Sequence, residues 1–199
     1  MKNTSYPVLL CFWVIISACK QEPEKKENMI PSVNEEGSTT ISGEVSPSFS
    51  RTLEMNGISF LINETGDLLR ITPSGLEVDN SPLETSIVGR VVNAESEDLD
   101  SDGWPEIVVY TQSTDNLKKG DAFGFSVLNG KSLNPIYLPP LVNDEDLASG
   151  YVGGDEFAIV ETSLVRRFIL DDGSTRQIQY KLKNGENSKI FYVDMVVEY

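Results

Sequence analysis

Apolar and polar residues alternate along several short stretches of this chain. A period of two predicts strands with one buried face. The alternating apolar positions are Ile58, Phe60 and Ile62, then Phe123, Phe125 and Val127, then Ile178, Tyr180 and Leu182, and finally Phe191, Val193, Met195 and Val197. The pair Asn-Gly occurs at 56–57, 129–130 and 184–185, and it favours hairpins because both residues tolerate positive φ. No long amphipathic helix is evident, so residues 49–199 are predicted to form an all-β, antiparallel β-sandwich.

The first residues follow a different pattern. A weakly basic start is followed by an apolar run at 8–16, which is too short to span a bilayer but fits the core of a signal peptide. The sequence Ile16-Ser17-Ala18-Cys19 resembles the lipobox of bacterial lipoproteins. The resemblance implies cleavage after residue 18 and lipid attachment to Cys19, which would anchor the protein in a membrane.

Residues 19–48 are mostly charged, small or polar, and they contain no aromatic side chain. Such a composition buries too little apolar surface to offset the entropy of ordering, so this segment is predicted to be a disordered tether. Together with the lipobox it predicts a protein of the bacterial cell envelope. The expected location is the outer membrane, facing the periplasm or the cell surface.

The charge balance narrows the classes of partner. The 199 residues carry a formal net charge of −15 at pH 7, which argues against nucleic acid as a partner. A strongly negative charge favours association with a cationic partner, or it simply keeps the protein soluble. The absence of histidine excludes Ser-His and Cys-His catalysis, and no enzymatic activity is expected.

An acidic segment at residues 98–106 directly precedes an apolar strand. Carboxylates at its first, third and fifth positions, a glycine and a later acid match the way short loops surround a hard cation with oxygen. The candidate metal residues are Asp98, Asp100, Asp102, Trp104 and Glu106, and calcium is the candidate ion. The alternative is a metal-free turn, because Asp, Ser and Gly are common turn residues.

Two adjacent arginines, Arg166 and Arg167, lie in a strand-like run. Neighbouring residues of a strand point to opposite faces, so one of the two is expected to be partly buried. Asp155 and Glu156 are near in sequence, and an internal arginine–carboxylate pair is therefore predicted. A role in binding a partner is the alternative.

Several ordered motifs resemble the bacterial inhibitors of I-type (invertebrate-type) lysozyme, over nearly all of residues 49–199. They lie at 74–77, 79–82, 131–133, 136–141, 151–158, 164–168, 175–182 and 196–199. The resemblance implies a β-sandwich that inserts a loop into the active-site cleft of lysozyme. It also assigns a structural or partner-binding role to a set of motif residues, namely Tyr151, Gly153, Asp155, Glu156, Phe157, Arg166 and Arg167.

The inhibitory loop departs from the family pattern of Ser-Gly-x-Tyr-Gly. The corresponding residues are Asn116, Leu117, Lys118, Lys119 and Gly120, of which only the glycine fits. Lys119 stands at the tyrosine position, and Gly154 replaces the family's histidine. Because a lysozyme cleft presents two catalytic carboxylates, we expect Lys118 or Lys119 to place an ammonium between them. A solvated polar hairpin is the alternative.

The predicted function is therefore a lipid-anchored lysozyme inhibitor, with I-type lysozyme as the first target. Two alternatives stay open at this point. One is an inhibitor of a different lysozyme type, and the other is a non-enzymatic calcium-binding surface β-module with another ligand. An exposed edge strand or sheet face also makes a homodimer possible.

Overall fold

The computed structural model describes residues 48–199. The predictions for the signal peptide, for Cys19 and for the tether up to residue 47 lie outside these residues. The described part is almost entirely β-structure, which confirms the predicted fold class. Its strands are β1 (Phe49–Met55), β2 (Ile58–Thr65), β3 (Leu68–Ser74), β4 (Leu83–Ser86), β5 (Arg90–Glu97), β6 (Glu106–Gln112), β7 (Gly120–Leu128), β8 (Ser132–Ile136), β9 (Tyr151–Val160), β10 (Ser163–Leu170), β11 (Thr175–Asn184) and β12 (Lys189–Glu198).

The only helices among residues 48–199 lie between β8 and β9. They are a 3-10 turn at Leu141–Asn143 and α1 at Glu145–Ala148. Asp144 caps α1, since its carboxylate accepts a hydrogen bond from the Leu147 amide at 3.0 Å. No helix in this part of the chain is long and apolar enough to cross a membrane.

The strands form three antiparallel sheets of four strands each. The N-terminal sheet has the order β1-β2-β3-β4, and the central sheet has the order β5-β6-β7-β8. The C-terminal sheet has the order β12-β11-β10-β9. Each sheet is built from consecutive strands joined by hairpins, so the chain completes one sheet before it starts the next.

The central sheet is buried on both faces. On β6, Ile107 and Val109 pack into the core shared with the N-terminal sheet, while Val108 and Tyr110 pack into the core shared with the C-terminal sheet. Alternation alone predicts one buried face for each strand. The unbroken apolar run of β6 differs from that expectation because both of its faces are covered, and the sandwich therefore has three layers.

Two of the three predicted Asn-Gly turns adopt the expected backbone. The φ values are 53° and 79° at Asn56 and Gly57, and 51° and 73° at Asn129 and Gly130. The third pair also lies in a hairpin, between β11 and β12, but neither Asn184 nor Gly185 has a positive φ. The β11–β12 connection is instead a longer loop, closed by a hydrogen bond from the Gly185 amide to the Ser188 carbonyl at 2.9 Å.

β12 is an edge strand of the C-terminal sheet, and its outer half exposes apolar side chains. Val193, Met195, Val196 and Val197 are each between 40% and 45% exposed. The expectation of a homodimer through an edge strand stays a prediction.

A buried carboxylate joins the N-terminal sheet to the central sheet. Glu64, at the end of β2, is 1% exposed and accepts hydrogen bonds from Arg90 Nη1 and from the Val91 amide, both at 2.8 Å. Ser48 Oγ donates a third at 2.8 Å. Burial opposes ionisation of Glu64, but these three donors outweigh it and hold the pKa of the carboxyl below its ordinary value of 4.5.

The lowered pKa predicts how this contact responds to acid. The ionised form of Glu64 stabilises the fold fully above pH 4.5, and this contribution is lost as the pH falls through the lower pKa of the folded state. We expect the difference in unfolding free energy between the wild type and Glu64→Gln to shrink in that range, measured by urea denaturation at successive pH values. A difference that stays constant from neutral pH to pH 3 would contradict this prediction.

Candidate functional site

The acidic segment 98–106 forms a compact loop between β5 and β6. Asp98 accepts hydrogen bonds from the amides of Asp102 at 3.0 Å and Gly103 at 2.9 Å. Asp102 accepts one from the Trp104 amide at 2.9 Å, and Glu106 accepts one from the Leu99 amide at 2.8 Å. The carboxylates predicted as metal ligands therefore hold the backbone of their own loop.

A lysine from the far end of the chain enters this loop. The Lys189 ammonium lies 2.7 Å from Asp100 Oδ2, 2.8 Å from Asp102 Oδ2 and 2.9 Å from Glu106 Oε1. The side chain of Lys189 is only 8% exposed, and that of Glu106 is fully buried. The first residue of β12 thus connects the C-terminal sheet to the β5–β6 loop of the central sheet.

These contacts bear on whether the loop fits calcium. Oxygens of Asp98, Asp100 and Glu106 lie within 4.8 Å of one another, which is a spacing that one ion could bridge. One oxygen of Asp100 is also buried without a hydrogen-bond partner. The ammonium nevertheless takes oxygens from Asp100 and Glu106, so a calcium ion and Lys189 would compete for them. As arranged, the loop does not fit calcium alongside Lys189.

The charges in the loop are shifted by their surroundings. Burial raises the pKa of Glu106, and hydrogen bonds from Lys189 and Ser126 offset this only in part. Burial opposes the charge on Lys189, but its three carboxylate partners outweigh burial and raise its pKa well above the ordinary value. Lys189 is therefore a cation at any physiological pH.

Trp104 contributes to the loop by packing as well as through its backbone. Its indole lies against the β7–β8 turn, where a Cβ on Gly130 would come within 2.4 Å of the ring. The ring belongs to the edge of the core between the N-terminal and central sheets. Nothing in the arrangement of the indole itself suggests metal binding.

The second predicted site, residues 116–120, lies in the loop at 113–119 that joins β6 to β7, and it also includes the first residue of β7. Asp115 organises the loop from within, because one of its oxygens accepts hydrogen bonds from Ser113 Oγ at 2.7 Å and from the Leu117 amide at 3.0 Å. The bond from Ser113 is the main cause of a lowered pKa at Asp115. Ser113 and Lys119 close the base of the loop through Ser113 N–H to Lys119 O at 2.7 Å and Lys119 N–H to Ser113 Oγ at 2.8 Å.

This loop is also attached to β9. The Gly154 amide donates to Leu117 O at 2.7 Å, and the Asp155 amide donates to Lys118 O at 3.0 Å. The approach is close enough to require glycine at position 153, where φ is 132° and a Cβ would come within 2.1 Å of Leu117 O. The C-terminal sheet therefore supports the loop along its backbone.

A buried ion pair underlies this attachment. Asp155 is 3% exposed, and its Oδ1 accepts a hydrogen bond from Arg166 Nε at 2.7 Å. Its Oδ2 accepts hydrogen bonds from the Gly120 amide at 2.8 Å and from the Tyr151 hydroxyl. Arg166 Nη2 in turn donates to Gly120 O at 3.3 Å. The internal arginine–carboxylate pair predicted from the sequence is thus present, and both of its members hold Gly120, the first residue of β7 directly after the loop.

Aromatic rings surround the guanidinium of Arg166. Its Cζ lies 5.2 Å from the ring centre of Phe157, 5.5 Å from that of Phe168 and 5.6 Å from that of Tyr151. Burial opposes the charge of Arg166, but Asp155 outweighs it and raises the pKa of the guanidinium. Burial and the hydrogen bond to Asp155 raise the pKa of Tyr151, so its hydroxyl stays a donor.

The structure divides the set of motif residues into two groups. Tyr151, Gly153, Asp155, Phe157 and Arg166 converge beneath the loop. Glu156 and Arg167 are exposed on the opposite face of the C-terminal sheet, where Arg167 Nε donates to Gln177 Oε1 at 2.8 Å. The first group has a structural role in positioning the loop, and the second group takes no part in it.

The two lysines of the loop differ in their surroundings. Lys119 Nζ lies 5.5 Å from the ring centre of Tyr151, so its side chain rests against the support of the loop. Lys118 is exposed and has a positive φ of 50°. Within residues 48–199 neither lysine forms a salt bridge, and Asn116 and Leu117 beside them are exposed as well.

Sequence reasoning missed Lys189. It lies 83 residues from Glu106 and 87 residues from Asp102. A single lysine after a polar turn carries no pattern that would connect it with so distant a loop. It also missed Ser113 as the residue that closes the base of the β6–β7 loop.

No protein-family model matches this sequence, and a comparison with curated proteins finds no match. The resemblance to lysozyme inhibitors therefore depends on the motifs alone.

The buried pair gives a direct prediction about stability. Asp155→Ala leaves the Arg166 guanidinium buried without its carboxylate, and we expect a loss of about 3–5 kcal/mol of unfolding free energy in chemical denaturation. Glu156→Ala is the matched control, because it removes the adjacent, exposed carboxylate of the same strand and should change stability by no more than about 0.5 kcal/mol. Equal effects of the two substitutions would show that the pair does not stabilise the fold.

Proposed function

We propose that this protein is a non-enzymatic, lipid-anchored inhibitor of lysozyme, and that its β6–β7 loop blocks the active-site cleft. The observation that carries the proposal is an exposed loop with two lysines that is held on a buried ion pair. I-type lysozyme is the first target, in line with the family that the motifs resemble. The lipobox at Cys19 supports attachment to the outer membrane, where such an inhibitor would meet a lysozyme.

The chemistry of the target suits a cationic loop. Glycoside hydrolysis uses two carboxyl groups that flank the scissile bond, so an open lysozyme cleft attracts positive charge. Lys118 and Lys119 are the basic residues of this loop, and neither forms a salt bridge within residues 48–199. One ammonium between the two carboxylates would displace the substrate without any covalent step.

The rigidity of the loop supports the same role. A binding loop that is already ordered loses less conformational entropy on association, which favours affinity. Backbone hydrogen bonds to Gly154 and Asp155 hold the loop, and so does its internal hydrogen bonding around Asp115. The acidic remainder of the chain would speed its encounter with a basic lysozyme, an effect that weakens as salt is added.

The test is clearing of peptidoglycan by I-type, C-type and G-type lysozymes, with and without the protein. We expect selective inhibition of the I-type enzyme. Inhibition of only the C-type or only the G-type lysozyme would agree with the proposed blocking of the cleft and would change the assigned target enzyme. The altered loop favours one further candidate, a surface β-module with another ligand, and lack of inhibition towards all three types would support that alternative.

The role of the lysines is tested by substitution. Lys118→Ala together with Lys119→Ala should abolish inhibition, because both candidate ammonium groups are removed while the backbone contacts remain. The control is Lys131→Ala together with Lys183→Ala, which makes the same change in net charge at exposed positions outside the loop. Inhibition constants measured for both double variants separate a local effect from loss of general attraction, and undiminished inhibition by the loop variant would refute the assignment.

A further inference from the structure

The position of Lys189 carries an inference about the acidic loop that does not depend on the proposed function. A lysine ammonium has three N–H donors and no acceptor. Lys189 meets one oxygen each of Asp100, Asp102 and Glu106, at 2.7, 2.8 and 2.9 Å. The contacts with Asp102 and Glu106 are hydrogen bonds and the contact with Asp100 is an ion pair, so the charge of the ammonium is balanced by its carboxylate partners.

Two of these three carboxylates, Asp100 and Glu106, also belong to the group that could surround a metal ion, whose third member is Asp98. Calcium takes six to eight oxygen ligands at about 2.3–2.6 Å, and this loop would supply them largely through its carboxylates. Two cations that shared these carboxylates would also repel each other strongly, because the side chains of Lys189 and Glu106 are buried and charges interact more strongly away from bulk solvent. A calcium ion could therefore enter only if the ammonium left.

The backbone of Lys189 makes such a departure unfavourable. Its carbonyl accepts a hydrogen bond from the Tyr137 amide at 3.0 Å, and the Phe191 amide donates to Tyr137 O at 2.9 Å. These two bonds form a parallel bridge between Tyr137 and Ile190, which fixes the start of β12 against the central sheet. The side chain therefore points into the loop from a position that the fold determines.

We propose that Lys189 is the resident cation of the acidic loop, since its ammonium pairs with Asp100 and Glu106, two of the three carboxylates that a divalent metal ion would otherwise bridge. The loop then keeps its structure at any calcium concentration. The ammonium also joins the C-terminal sheet to the β5–β6 loop of the central sheet, a link that an ion held by the loop's own carboxylates would not supply. The lysine prevents calcium from using these carboxylates.

The proposal predicts opposite responses to calcium in two proteins. The melting temperature of the wild type should be the same in calcium and in EDTA, and isothermal titration should detect no calcium binding. Lys189→Met removes the charge but keeps an unbranched apolar side chain. We expect this variant to melt below the wild type in EDTA, to gain melting temperature when calcium is added, and to bind one calcium ion at least about tenfold more tightly than the wild type.

Lys183→Met is the matched control. It makes the same substitution on the neighbouring strand, at an exposed lysine that lies over the Tyr192 ring and not in the acidic loop. This variant should behave like the wild type in calcium and in EDTA. A general effect of losing one positive charge would appear in both variants, whereas vacating the loop would appear only in Lys189→Met.

Each of the other outcomes of the calcium experiments either supports or contradicts the proposal for Lys189. A Lys189→Met variant that is unfolded in EDTA and folds with calcium would support the proposal. A variant that is folded but binds no calcium, or that stays unfolded with calcium, would show that an ion cannot take the place of the ammonium and would contradict it. Calcium binding by the wild type with a rise in melting temperature would also overturn it, and that measurement needs no variant.

Discussion

The central sheet is covered on both faces, and this constraint determines where charge is placed in the rest of the molecule. Carboxylates near the ends of its strands are shielded from water, and an isolated buried charge is costly. Each is accordingly paired with a basic residue: Glu64 with Arg90, Glu106 with Lys189, and Asp155 with Arg166. Each of these pairs also connects two layers. Glu64 and Arg90 connect the N-terminal and central sheets, and Glu106 and Lys189 connect the central and C-terminal sheets. Asp155 connects the C-terminal sheet to the central sheet through the amide of Gly120.

Two of these pairs fix loops at the edges of the central sheet. Lys189 holds the loop that leads into β6, and the Asp155–Arg166 pair holds the loop that leads out of it. The apolar cores order the strands, while the ion pairs set the conformation of the loops that the strands carry. The β6–β7 loop is thus positioned from below by the buried Asp155 and Arg166 and the half-buried Tyr151, while its own residues 114–119 stay exposed.

Much of the fold could be predicted from local pattern. Alternation at positions such as Phe123, Phe125 and Val127 correctly indicated strands, and the adjacent Arg166 and Arg167 correctly indicated one buried and one exposed side chain. The third layer could not be predicted, because alternation reports the burial of one strand and not the number of sheets that cover it. Lys189 could not be predicted either, because its contacts depend on the closing of β12 against a distant loop. Asn184 and Gly185 lack the positive φ values of the other two Asn-Gly pairs, because the loop there is longer than two residues.

Amide hydrogen exchange tests most directly whether the buried ion pair holds the β6–β7 loop. The relevant amides are those of Lys119, Gly120, Gly154 and Asp155, each of which donates to a partner within the loop or its support. In the wild type we expect protection comparable to that of the adjoining strands, and in Arg166→Met we expect these four amides to lose protection while β2 and β3 keep theirs. Arg167→Met should leave all of them protected. Rapid exchange of the four amides in the wild type, or unchanged protection in Arg166→Met, would contradict the account.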